Sequence, residues 1–160
     1  MSRLESMRRR LTAQIDGLNW ALDQVADIPG DMLELGLGNG RTYDHMREYG
    51  DDRRIWVIDR QLNCHPSCVP PEDSYLEGEA DAMMQALADR GAKIALAHYE
   101  LGIGIREQDE KEAEKLSEYL VPLIAPGGLI VSQQPIVGIP EIDGPDTIAE
   151  GRYLFYRQPG

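Results

Sequence analysis

The chain has 160 residues, 42% of them hydrophobic and 28% charged, enough for one compact domain with a real core. Asp and Glu number 28 against 16 Lys and Arg, a formal net charge of -12, which suits neither phosphate neutralisation on nucleic acid nor docking on an anionic membrane. No run approaches the roughly 18 apolar residues of a membrane span, residues 1–10 are charged with no apolar signal segment behind them, and two cysteines, Cys64 and Cys68, make no disulfide framework. A reduced, cytoplasmic, single-domain protein is expected.

The first 26 residues read as one amphipathic helix, with Leu4, Met7, Leu11, Ile15, Leu18, Leu22 and Val25 at three- and four-residue steps. Ser2 followed by Glu5 fits a capping box, and Pro29-Gly30 is a stop signal. Arg8, Arg9, Arg10, Gln14 and Asp16 fall on the opposite face, which is either solvated or meets a partner. A short strand over 32–35 ends in glycines, and a helix covers 42–49. A second strand over 54–59 ends on an acid, and residues 61–73, rich in proline and holding both cysteines, form a loop. Then come a brief strand (74–76), a helix (79–90), a strand (93–98) and an acidic helix (107–120). Pro126-Gly127-Gly128 reads as a turn feeding a fifth strand over 129–132, and an aromatic strand over 152–156 comes last. Strands alternating with helices predict a doubly wound α/β sandwich, a Rossmann-like fold with a mostly parallel sheet.

The chemistry begins at Glu34-Leu35-Gly36-Leu37-Gly38-Asn39-Gly40. Glycines between a first strand and a first helix let backbone approach a ligand closely. The spacing is Gly-x-Gly-x-Gly, whereas the dinucleotide fingerprint is Gly-x-Gly-x-x-Gly. Glu34 also sits inside the strand, where its carboxylate would repel a pyrophosphate but suits a ligand bearing an ammonium group. S-adenosylmethionine has that ammonium and no phosphate. Asp59 ends the second strand 23 positions after Gly36 (59 - 36), near the roughly 20-residue offset of a ribose-binding acid.

This run, with Asp59, resembles the cofactor site of class I S-adenosylmethionine-dependent methyltransferases. Gly78-Glu79-Ala80 is similar to that family's Gly-acid-Ala segment, and Pro126-Gly127-Gly128 to its Pro-Gly-Gly turn. The whole chain is similar to a compact bacterial family of stand-alone methyltransferases in which Gly-Asn-Gly-Arg-Thr-Tyr-Asp-His and a terminal Gly-Arg-Tyr recur, here at 38–45 and 151–153. The resemblance implies an N-terminal helix (1–28), a cofactor-binding core (30–133) and a C-terminal part (134–160). With only some 20 residues between Leu129 and Arg152, the usual helix and two-strand hairpin do not fit. The C-terminal part must therefore be abbreviated, with a vestigial sixth strand. Carried over by position, Glu34, Thr42 and the backbone of Gly36, Leu37, Gly38, Asn39 and Gly40 would hold the methionine part of S-adenosyl-L-methionine. Asp59 would hold the ribose and Arg60 would lie beside the adenine. Glu79 would accept the adenine amino group, with Asp81 a competing candidate, while Gly78 and the Ala80 N–H would border the ring.

His98 stands at the end of the fourth strand, where the cofactor's methyl group would lie, and is the candidate base as well as a cofactor contact. Tyr99 and Glu100 could shape an acceptor pocket. The family's amino-methylating motif, Asp or Asn followed by Pro-Pro and an aromatic, is absent, which argues against DNA adenine and protein glutamine. Cys64, His65 and Cys68 offer too few ligand atoms for a metal site, and none is expected. His45 reads as a packed or capping histidine. The expected activity is methyl transfer to a small-molecule acceptor with S-adenosyl-L-homocysteine as product; no nucleic acid or membrane partner is expected. The acceptor pocket is expected from the N-terminal helix, the loop 61–73, the segment 102–106 and the loop 133–150, or from a second copy of the chain, as a homo-oligomer. The alternative is a regulatory protein that binds the cofactor without catalysis. A nicotinamide oxidoreductase is disfavoured by Glu34 and by the glycine spacing.

Overall fold

The computed structural model describes residues 1–160. Its elements are α1 (Arg3–Gln24), β1 (Asp31–Leu35), α2 (Arg41–Tyr49), β2 (Ile55–Asp59), β3 (Tyr75–Glu77), α3 (Ala80–Asp89), β4 (Ile94–Tyr99), α4 (Arg106–Leu120), β5 (Ile124–Ser132), β6 (Glu141–Ile142) and β7 (Leu154–Arg157). They form one seven-stranded sheet in the order β3-β2-β1-β4-β5-β7-β6. Pairing is parallel from β3 to β5, and β7 runs antiparallel to both its neighbours. The order reverses between β1 and β4, so their carboxyl ends open the crevice in which such sheets bind ligands. No helix is long and apolar enough to cross a membrane.

Alternation along the strands separates two cores. Leu33, Leu35, Trp56, Ile58, Ala97 and Tyr99 face α3 and α4, whose Met84, Leu87, Ala113 and Leu120 are almost wholly buried. On the other face Met32, Val57, Leu96 and Val131 pack with Leu18 and Ala21 of α1 and with Tyr43 and Met46 of α2. Glu34 and His98 lie on this second face, in register on adjacent strands. The strand periodicity that buries leucines therefore also buries a carboxylate and an imidazole.

The capping box forms as expected, with the Glu5 N–H donating to Ser2 Oγ at 3.1 Å and the Ser2 N–H to Glu5 Oε2 at 2.7 Å. The buried face of α1 differs from the expected one. Leu4, Met7 and Ile15 are exposed, while Ala13, Gln14, Gly17, Leu18 and Ala21 are buried. Small residues win because α1 lies close to the sheet. A Cβ on Gly17 would stand 3.2 Å from Ile148 and 3.3 Å from Phe155. Gln14, expected on the solvated face, points inward to Glu100.

Pro126-Gly127-Gly128 is part of β5 rather than a turn before it. The register against β4 shifts there, a bulge that Gly127 permits with φ +79. The Gly127 N–H donates to the Gln158 carbonyl and the Gln158 N–H to Gly128, both at 2.9 Å, which keeps the bulged segment paired. Beyond β5 the chain runs without a helix to a two-residue β6, so the C-terminal part is abbreviated as expected. Residues 61–73 hold two single turns of 3-10 helix at Pro66–Cys68 and Glu72–Ser74.

Arg53 fastens the connection between α1 and β1. Its guanidinium donates to the carbonyls of Val25 (2.8 Å), Ala26 (3.1 Å), Ile28 and Gly30 (3.3 Å), and its Nε lies 2.8 Å from Asp51 Oδ2. Carbonyls left over at a helix end need such donors. Replacing Arg53 with Met should lower the unfolding free energy by about 1.5–3 kcal/mol, read in urea denaturation as an earlier midpoint at unchanged slope. An unmoved midpoint would show that water serves these carbonyls equally well.

Candidate active site

The loop after β1 is shaped by what its glycines leave out. Gly36 has φ +92, and a Cβ there would stand 3.0 Å from the Leu101 side chain and 3.1 Å from the Glu100 carbonyl. Gly40, at φ +91, packs so closely on Cys68 that a Cβ would collide with it, and Cys64 borders the same spot. Gly38, at φ +52, has open space where a side chain would be. The outcome is a tight turn whose floor is bare at Gly38, where a side chain would take up the open space. Asp59 holds this turn from β2. Its Oδ2 accepts from the N–H groups of Leu37 (2.8 Å) and Gly38 (3.3 Å), and its Oδ1 from the Arg60 N–H at 2.7 Å.

Beneath the loop lies a polar network without access to water. Glu34 and His98 are both fully buried, with His98 Nδ1 2.6 Å from Glu34 Oε1. The other carboxylate oxygen of Glu34 accepts from Thr42 Oγ1 at 2.8 Å. His98 Nε2 lies 3.2 Å from the Tyr153 hydroxyl. Burial raises the Glu34 pKa against the pull of His98. For His98, burial alone would lower the pKa, but the charge and hydrogen bond of Glu34, with Glu100 behind, raise it. The pair thus holds its proton tightly. Burial also pushes the Tyr153 phenol up, so it stays protonated.

Two of the candidate residues lie deeper than their sequence positions suggest. Glu34, read as facing a ligand ammonium, has no exposed surface, and its oxygens pair with Thr42 and His98. His98, the candidate base and cofactor contact, is fully buried, with its ring nitrogens beside Glu34 and Tyr153. The acid of this network that does face the open side is Glu100. Its Oε1 accepts from Gln14 (2.6 Å) and Gln133 (3.2 Å), its Oε2 lies 3.1 Å from Thr42 Oγ1, and Arg10 stands 3.9 Å away. The ligating atoms of Glu34, His98 and Glu100 all lie within 4.8 Å of one another. However, two donors on one metal at about 2.0–2.2 Å are held about 3 Å or more apart, so the 2.6 Å contact is a shared proton.

Three hollows adjoin over the strand ends. The first is bounded by Gly36, Gly38, Asn39, Thr42, Arg10 and Glu100. The second, about 160 Å³, is lined by Ile58, Asp59, Arg60, Gly78, Ala80, Leu101, Ile103 and Glu112. Arg60 spans its rim, with Nε 3.1 Å and Nη2 3.0 Å from Glu79 Oε2. Glu79 is thereby tied to Arg60, and Asp81 accepts from the Ala82 N–H at 2.8 Å. The third hollow is an open cleft of about 840 Å³ that shares Arg10, Glu100, Leu101 and Gly102 with the other two. Asp109, buried at the start of α4, shapes its wall by accepting from the N–H groups of Ile103 (2.8 Å) and Gly104 (3.0 Å).

The acids around the first two hollows, Asp59, Glu100 and Glu112, fit a cationic ligand with sugar hydroxyls and not a pyrophosphate. Arg10 and Gln14 of the N-terminal helix and Gln133 of the loop 133–150 lie in segments expected to wall the pocket, though none was singled out. Asp109, Glu112 and Tyr153 escaped assignment, Tyr153 because it reaches His98 from 55 positions away. The Gly-Arg-Tyr recurrence was the one signal for Tyr153. His45 is a packed residue as expected, bonded to Asn19 Oδ1 at 2.7 Å and tilted against Tyr49. His65 is spent on Ser67 at 2.7 Å.

No curated protein matches the sequence. A crystal structure of an S-adenosyl-L-methionine methyl transferase from Silicibacter pomeroyi DSS-3 superimposes with a TM-score of 0.92 at 35% identity, covering 99% of each chain. CalS11, a TDP-rhamnose 3'-O-methyltransferase of calicheamicin biosynthesis, shares the fold at a TM-score of 0.62 and 18% identity, over 97% of this chain and 80% of its own. TomG, an O-methyltransferase from Streptomyces achromogenes solved with S-adenosylmethionine, does so at 0.55 and 13%, over 100% and 82%. Residues 1–158 match the family described as S-adenosyl-L-methionine methyltransferase. The glycine cradle, the acids around it and this match over nearly the whole length agree, and the chain belongs to the S-adenosyl-L-methionine methyltransferase family.

Proposed function

We propose that this methyltransferase acts on a small-molecule acceptor seated in the open cleft beside the glycine loop. The observation that carries the reading is the cleft itself: about 840 Å³, within the range of small-ligand pockets, and continuous with the cofactor hollows through Glu100 and Leu101. The net charge of -12 speaks against nucleic acid as acceptor. The free thiols of Cys64 and Cys68 suit a reducing, cytoplasmic setting.

S-adenosylmethionine supplies a methyl group on a sulfonium centre: the acceptor's lone pair takes the carbon, the C–S electrons return to sulfur, and S-adenosylhomocysteine remains. The bare floor at Gly38 and the N–H groups of the loop, including Asn39, would take the methionine portion. Glu100 would face its ammonium and Arg10 its carboxylate. Asp59 keeps lone pairs free for ribose hydroxyls while fixing the loop. Leu101 and Ile103 would flank the adenine, with Gly78, Ala80 and the Arg60–Glu79 pair at its rim. Glu34 and Thr42 would act one layer behind, Thr42 standing between the two carboxylates at 2.8 Å from Glu34 and 3.1 Å from Glu100. We assign His98 the same positioning role. Methyl transfer draws much of its acceleration from alignment of the reacting atoms, which a rigid buried network provides.

Incubation with S-adenosylmethionine and a library of small hydroxyl, amine and carboxyl acceptors should yield S-adenosylhomocysteine with at least one of them; turnover with none would remove the small-molecule reading. Asp59→Ala should weaken S-adenosylhomocysteine binding by roughly tenfold or more, since it loses both loop and ribose contacts; full affinity in titration calorimetry would refute that placement. His98→Gln should likewise weaken cofactor binding, whereas a loss of kcat at unchanged cofactor affinity would make His98 the base after all. The buried pair also has a pH signature. The His98 pKa is raised above its ordinary 6.5, so its stabilisation is whole below that value and is lost as pH rises through the folded value. The thermal midpoint should fall as pH rises above 6.5. In Glu34→Gln that slope should flatten or reverse, because burial alone lowers the histidine pKa.

A further inference from the structure

The open cleft has a charge opposite to that of the molecule around it. Between residues 72 and 118 the chain carries 13 acids against 5 bases, yet the cleft wall brings together Arg3, Arg10 and Arg152. They arrive from opposite ends of the chain, Arg3 and Arg10 on α1 and Arg152 just before β7. Arg152 Nη2 donates to the Ser6 carbonyl at 3.2 Å. Ser6 lies one helical turn from Arg3, which sets the two guanidinium groups on the same side of α1.

The acids in the same wall do not cancel these charges. Asp109 spends both oxygens on the N–H groups of Ile103 and Gly104. Glu100 accepts from Gln14 and Gln133 and has Arg10 for its counter-ion. Arg3 takes part in no ion pair or side-chain hydrogen bond, and Arg152 in none beyond Ser6. Two cations are therefore left facing the cleft, where only Met7 and Leu101 are apolar. Such a lining does not desolvate a hydrocarbon acceptor, and planar guanidinium groups match oxyanions in two-pronged geometry.

We infer that the acceptor is an anion, a small molecule carrying a carboxylate or phosphate group that Arg3 and Arg152 hold at the outer end of the cleft. The group to be methylated then points inward, toward Glu100 and the glycine loop. This rests on the reading of the cleft as the acceptor site and gives that acceptor a chemical class. It also explains how an acidic protein collects such a substrate, because a local cationic wall steers anions that the remainder of the surface repels.

The test uses the full chain saturated with S-adenosylhomocysteine and titrated with inorganic phosphate or with succinate. At least one probe should bind, and which one does so separates phosphate from carboxylate recognition. Arg3→Gln should weaken that binding roughly tenfold, the loss of one charge-assisted contact, and the Arg3→Gln, Arg152→Gln pair should abolish it. Arg3 makes no internal bond, so the single variant carries the result without disturbing the fold. Affinity for S-adenosylhomocysteine should stay the same in both variants. Absence of binding by either probe, or binding that both variants retain, would overturn the inference while leaving the cofactor site standing. Failure of the parent protein to bind S-adenosylhomocysteine would instead overturn the reading beneath it.

Discussion

A carboxylate with no access to water sits in the middle of this sheet, and much of the surrounding arrangement follows from the need to satisfy it. An isolated buried carboxylate is untenable, and removing one partner of a buried pair typically costs about 3–5 kcal/mol. Glu34 finds its partners in His98 on the next strand and Thr42 on α2. His98 in turn requires the Tyr153 hydroxyl, which brings the segment before β7 against the strand end. Thr42 leads to Glu100, and Glu100 to Gln14 and Gln133. One buried charge thereby ties α1, α2, β4, the end of β5 and the start of β7 to a single point.

Such a network limits motion as well as position. Every buried side-chain polar atom has a partner, and those of Glu34 and His98 come from α2, from the neighbouring strand and from the segment before β7. A polar network of this kind specifies one arrangement, because slipping any member leaves another unsatisfied. Asp59 extends the logic to backbone. By accepting from two N–H groups of the loop, it turns a glycine-rich segment that would be mobile by composition into a fixed cradle. Rigidity placed beneath a reacting centre serves a reaction that depends on alignment.

The parts legible in the sequence are those with a local cause. The glycine loop, the acids at 34 and 59, the capping box at Ser2 and the alternation of strands and helices all sit within one or two elements. The abbreviated C-terminal part followed from simple length. The buried side of α1 was not legible, because large apolar residues at Leu4, Met7 and Ile15 drew the pattern away from the small residues that α1 turns to the sheet. Gln14 looked solvated for the same reason. The bulge at Pro126-Gly127-Gly128 reads as a turn in sequence because the hydrogen bonds of its glycines go to Gln158, at the far end of the chain. Residue type marked Glu34 and His98, but that both are fully buried, with Glu100 on the open side of them, depends on packing between distant elements.

The brevity of the outer strands has a meaning of its own. The sheet ends in β3, with three residues, and β6, with two. A strand at the margin of a sheet offers unpaired N–H and C=O groups to any extended segment, and long margins invite chains to add to one another. Here neither margin is long enough to template more than a bond or two. The brevity of its border strands thereby guards the small acidic domain against edge-to-edge polymerisation.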